Sequence, residues 1–149
     1  MSTALRDMIA RHASEEGLQA TAVPRLTLIR ASQPSEPWHG VHKPAICIIA
    51  QGRKQLKVCD NLLEYGAGHH LVVSLDLPVI GNVCEASIDE PYLCMKLDLD
   101  LSLLGTLVLE MNAPIAQTTP SCKPLGVAET PAALHDTAVR LVGLLDRPQ

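Results

Sequence analysis

Histidine and cysteine are the residue types with which this chain of 149 residues could do chemistry: it has six of the first and five of the second. His39 and His42 precede one apolar run and His69 and His70 open another, so closure of a sheet could gather imidazoles from both pairs. Three neutral imidazoles, or imidazoles with a carboxylate, would make a site for iron, manganese, nickel or zinc. The spacing argues against that chemistry. Neighbours on a strand point to opposite faces, so only one of His69 and His70 can look inward. His39 and His42 lie three apart in a segment flanked by Pro and Gly, not alternating on a strand. The other reading makes them polar residues at a barrel mouth.

Cys47, Cys59, Cys84, Cys94 and Cys122 are odd in number, and no two are spaced C-x-x-C. A zinc knuckle or a disulfide framework would need pairs. Cys47, Cys84 and Cys94 lie within apolar runs, where a free thiol behaves as a small hydrophobe, and Cys122 reads as a free thiol in a Pro-rich loop. A reducing, cytoplasmic setting suits such a set. Asp76, Glu85, Asp89, Glu90, Asp98 and Asp100 fall near strand ends or on outward faces, as solvated charges rather than an acid–base pair. No G-x-S-x-G, phosphate loop or H-E-x-x-H occurs. Gly66 and Gly68 precede a strand, which is the wrong context for a dinucleotide fold.

The elements that must position these residues follow from period and punctuation. Leu5, Met8, Ile9, His12 and Ala13 form a helical stripe that Gly17 ends. Beyond Pro24 the period changes to that of short strands, expected over 26–31, 45–51, 54–58, 62–65, 69–76, 79–86 and 92–100. The last alternates Leu93, Met95, Leu97 and Leu99 against Lys96, Asp98 and Asp100, which predicts one buried and one wet face. Seven short strands with frequent turns argue for a barrel or sandwich over a parallel sheet. A helix is expected over 101–111, a loop over 113–129, and a second helix after Thr130 as N-cap and Pro131 as first helical residue. Its stripe of Leu134, Ala138, Leu141 and Leu145 needs a partner: the barrel, a second copy, or a further domain.

Composition removes whole classes of function. With 47% hydrophobic residues, disorder is excluded, and no run approaches the roughly 18 apolar residues of a membrane span. Twelve Lys and Arg against sixteen Asp and Glu leave a net charge of −4. Arg53, Lys54 and Lys57 form one basic cluster, read as a solvated strand face. Trp38, Tyr65 and Tyr92 are the aromatics, too few for a base-stacking platform. No DNA-binding residue is expected in this chain.

The segment 44–54 carries a Pro-x-x-C-x-x-x-Q-G-x-K pattern, supplied by Pro44, Cys47, Gln51, Gly52 and Lys54. Further stretches follow in order: 16–32, a Tyr-x-x-Gly step at Tyr65 and Gly68, 71–87 and 91–100. Together they resemble the N-terminal domain of AraC-family bacterial transcriptional regulators, from Leu5 to about Leu145. The resemblance implies a mainly β fold, a cupin-like, jelly-roll β-barrel with an N-terminal helix and C-terminal helices, serving effector binding and dimerisation. The expected division is an N-terminal helix in 1–20, the barrel in 21–100 and a helical linker or dimerisation segment in 101–149. A helix-turn-helix domain that would read DNA is absent from these residues. His42 departs from the family pattern, which more often has Tyr there, as do His69 and His70.

The function expected is therefore that of a non-catalytic, cytoplasmic regulatory domain. It would take a small-molecule effector of unknown identity, pair as a homodimer, touch no membrane, and meet DNA only through the missing domain. Neither cofactor nor metal is expected. Alternation places Met95, Leu97, Val58 and either Cys47 or Ile46 in the effector pocket, with Trp38, His39 and His42 at its rim. The competing reading is a free-standing metal-dependent cupin enzyme acting on a small organic molecule.

Overall fold

The computed structural model describes residues 4–58, 60–100, 102–103, 106 and 125–146. A helix α1 (Ala4–His12) precedes strands β1 (Gly17–Ala20), β2 (Leu26–Ala31), β3 (Trp38–His42), β4 (Ala45–Gln51), β5 (Arg53–Val58) and β6 (Asn61–Gly66). Then come β7 (His69–Val73), β8 (Leu77–Glu85), β9 (Tyr92–Asp98), β10 (Leu125–Glu129) and helix α2 (Ala132–Gly143), with a 3₁₀ turn at Leu144–Asp146. One sheet has the order β1-β2-β9-β4-β7-β10 and the other β3-β8-β5-β6. The strand pairings are antiparallel, so the chain folds back through turns and needs no helical crossovers.

The two sheets face each other across one core, which includes Cys47, Ile49, Leu56, Tyr65, Leu71, Val79 and Cys94. A second core lies on the opposite face of the larger sheet, under α1 and α2. There Leu5, Ile9, Ala138 and Val142 meet Leu28, Ile48, Leu93 and Met95. The larger sheet is thus covered on both faces. This corrects the wet face expected of β9. Leu93, Met95 and Leu97 pack beneath the helices, while Tyr92, Cys94 and Lys96 look between the sheets. Met95 and Leu97, expected in the effector pocket, therefore belong to the helical side. Apolar alternation identified a buried face correctly but not which of two chambers it serves.

Turn chemistry fixes how the sheets join. The register of β4 against β9 shifts between Ile49 and Gln51, and Gly52, between β4 and β5, adopts φ 88°. A Cβ at Gly52 would stand 2.7 Å from the Glu85 carbonyl oxygen and 2.9 Å from the Tyr92 Cα, so only glycine fits. The Gln51 amide donates to the Pro91 carbonyl at 2.8 Å and ties this corner to the start of β9.

Several boundaries differ from expectation. Gly17–Ala20, read with the helical segment, is a strand paired to β2. Trp38–His42, read as a rim, is a strand paired to β8. Residues 125–129 of the expected loop form β10 against β7, while 113–124 lie outside the described residues. Of the helix expected over 101–111, residues 102, 103 and 106 are described and helical, and the Asp100 carboxylate accepts the Leu103 N–H at 3.1 Å as a cap. Pro131, not Thr130, is the α2 cap: its carbonyl accepts the His135 N–H at 3.0 Å, and the Thr130 N–H donates to Gly68 at 2.9 Å. The α2 stripe finds its partner in α1 and the larger sheet of its own chain.

Candidate functional site

Between the sheets, at the side bordered by β1 and β3, lies a cavity of about 350 Å³. β9 supplies Tyr92, Cys94 and Lys96, consecutive members of its inner face, and β4 adds Cys47. The opposing sheet contributes Lys54 from β5 and Val83 from β8. β2 and β1 give Ile29 and Leu18, and β3 gives Trp38, Val41 and His42. The rim is apolar and open: Leu18 is 68% exposed, Val41 62% and Trp38 41%.

Trp38 owes its position to a glycine across the ladder. It pairs in register with Gly81, where a Cβ would come within 2.8 Å of the indole Cζ2. The Lys54 ammonium lies 5.2 Å from the centroid of that indole. Such cation–π contacts contribute about 0.5–2 kcal/mol, less than burying an ammonium costs, and Lys54 is only 8% exposed. The basic cluster is split by strand period: Arg53 points out and pairs with Glu64 at 2.9 Å, while Lys54 points in. The solvated face expected for all three holds only outside. Lys96 keeps a loose contact, 3.8 Å, with Asp98.

His42 is nearly buried, and its Nδ1–H donates to the Lys43 carbonyl at 2.8 Å. That bond leaves Nε2 as an acceptor, 3.8 Å from the Cys47 sulfur. Burial, reinforced by the charges of Lys96 and Lys54, lowers the His42 pKa below the usual imidazole value and favours the neutral ring. The Cys47 thiol is held well above its ordinary range, first by its hydrogen bond with the Cys94 thiol and then by burial. A protonated, enclosed thiol is a poor nucleophile. The Tyr92 hydroxyl lies against Cys94 without a well-formed hydrogen-bond partner, and burial raises its pKa well above the phenolic value.

Of the residues expected at the site, Trp38, His42 and Cys47 line this cavity. His39 points away, into a surface groove with Lys57, Pro78 and Ile80. Val58 packs against the inter-sheet core without lining the cavity. The four histidines do not converge. His39 is outside, His42 inside, and His69 and His70 occupy opposite faces of β7 with Thr130 3.4 Å from His70. Among the described residues no three His, Cys, Asp or Glu side chains gather as metal ligands. Lys54, Tyr92, Cys94 and Lys96 escaped the sequence reading. The Tyr-x-Cys-x-Lys alternation of β9 was the available signal, discounted because lysine on a strand usually marks solvent.

A model of the AraC-type transcriptional regulator N-terminus matches residues 22–149. The chain belongs to this family. Its signature now separates into two physical roles in this AraC-type domain: Gln51 and Gly52 build the sheet-to-sheet corner, and Cys47 and Lys54 face the cavity. No curated protein sequence matches the chain. Among solved structures, apo ToxT from Vibrio cholerae, as a lysine-to-alanine variant, superposes with a TM-score of 0.59 at 10% identity, over 87% of this chain and 51% of ToxT. That likeness is one of fold, and this chain spans about half the length of ToxT. A cupin-2 domain protein from Shewanella frigidimarina gives 0.42 at 9% identity, covering 60% of this chain and 89% of that one. Oxalate decarboxylase from B. subtilis gives 0.38 at 12%, over 82% and 41%. The fold is mainly β, two facing antiparallel sheets flanked by helices. No helix among the described residues is long and apolar enough to cross a membrane.

Proposed function

We propose that this domain is the effector-sensing part of an AraC-type regulator: a small organic molecule fills the inter-sheet cavity and biases a docking or dimer equilibrium. The observation that carries the reading is the open, apolar-rimmed cavity with a polar inner wall, set inside a domain of this family. DNA would be reached through a helix-turn-helix domain of the full-length protein, in the cytoplasm, with a second copy as partner. A non-catalytic role is supported by the state of the candidate groups, since the Cys47 thiol is held protonated by its Cys94 contact and by burial, and burial lowers the pKa of His42 beside it.

Coupling needs a path from ligand to helices, and β9 offers one across a single sheet. Tyr92, Cys94 and Lys96 border the cavity, while Leu93, Met95 and Leu97 lie beneath α1 and α2. A ligand shifts such an equilibrium only by its differential affinity for the two states. Val83→Trp, which fills the cavity, is the test. In the full-length regulator it should abolish the transcriptional response to effector while circular dichroism stays native, at an overpacking cost of about 1–3 kcal/mol. A normal response in that variant would mean that effector binds elsewhere.

A further inference from the structure

One buried cation narrows the chemistry of the ligand. Lys54 is 8% exposed, and among the described residues its ammonium has the Trp38 ring as its electrostatic neighbour and no carboxylate paired with it. Lys96, on the facing sheet, adds a second cation to the lining and keeps only its loose 3.8 Å contact with Asp98. Among the described residues no Asp or Glu lines the cavity, although the chain as a whole carries a net charge of −4. Tyr92, 1% exposed, also lines the cavity, and its buried hydroxyl lacks a well-formed hydrogen-bond partner. Burying an unpaired ammonium is costly, and a function that uses the charge is the usual compensation.

The rest of the cavity is apolar. Leu18, Val41 and Ile29 offer hydrocarbon toward the rim, and the volume of about 350 Å³ is near the small end of ligand sites. Phosphate recognition favours arginine forks and clustered backbone N–H groups, whereas among the described residues the cations lining this cavity are Lys54 and Lys96.

We propose that the effector is a compact organic monocarboxylate, its carboxylate between Lys54 and Lys96 and its apolar body against the rim. This rests on reading the cavity as the effector site. The chain has one tryptophan, Trp38, and it forms part of the cavity wall, so its emission reports occupancy. The probes are cyclohexanecarboxylate and octanoate, each titrated beside its own amide, which keeps the shape and removes the charge. The carboxylates should bind saturably and at least tenfold more tightly than the amides, and Lys54→Met should erase that preference. Without ligand, Lys54→Met should also raise Tm, by roughly 2–5 °C for a domain of this size.

Equal binding of acid and amide, unchanged in Lys54→Met, overturns the carboxylate and leaves the cavity reading standing. No saturable change with either pair overturns both. A fall in Tm for Lys54→Met shows a lysine paired in the native protein and overturns the proposal. Should that variant fail to fold, Lys96→Met carries the same comparison of acid with amide.

Discussion

His42 is a neutral ring enclosed by two lysines, a thiol and a carbonyl, and this sets a pH dependence. Its folded pKa lies below that of the unfolded chain, first because of burial. The unfolded state then binds more protons between the two values, so stability rises with pH across that window. The contribution is complete above about 6.5, the ordinary imidazole value, and is lost as pH falls toward the folded value. His70 is lowered too, by burial and by His69, so the informative quantity is a difference between proteins. His42→Gln should flatten the loss of urea stability between pH 7 and 5.5 relative to wild type. Equal slopes would mean that His42 is as readily protonated in the fold as outside it. Chemistry-bearing residues were thus legible as types, and of the expected site residues Trp38, His42 and Cys47 line the cavity. Lys54 was missed because a cation in a basic run reads as solvated until strand period puts its neighbours on the other face.

Strands with a clean burial pattern were legible, and edge strands were not. β2 and β4 coincide with their expected bounds because hydrophobic runs end at Ala31 and Gln51 before turn-forming residues. β3 hides because four of its five residues are exposed, and β10 because Gly126 and the preceding prolines read as a loop. At the corners, glycine conformation and glycine space can be separated by experiment. Gly17 and Gly52 share a left-handed backbone, φ 92° and 88°, but a Cβ meets nothing within 4 Å at Gly17 and backbone atoms at Gly52. Gly17→Ala should cost about 1–2 kcal/mol, the conformational penalty alone. Gly52→Ala should cost about 3 kcal/mol or more by denaturant unfolding, because two strands must separate to admit the methyl group. Equal costs would show that the corner relaxes freely.

For the whole molecule, the larger sheet is a partition between two packed chambers, and Met95 tests which one it serves. Met95→Ala should lose about 2–5 kcal/mol, as for other large buried side chains, while the Trp38 emission spectrum of the folded protein stays that of wild type. A shifted spectrum would put Met95 on the cavity side after all. The overall architecture was readable from turn density and strand length. The assignment of faces was not, because a sheet covered on both sides gives two apolar patterns and sequence alone carries no label for either.

The alternation along β9, with Tyr92, Cys94 and Lys96 toward the cavity and Leu93, Met95 and Leu97 toward the helices, also bears on how such a domain can diverge. Adding or deleting one residue within the strand would exchange the two sets at a stroke, placing lysine beneath the helices and leucine in the cavity. Substitutions at every second position can retune what the cavity accepts while the helix contacts stay as they were. Lineages of this domain are therefore expected to vary in the inward residues of β9 and to keep its length, with insertions and deletions confined to the turns on either side.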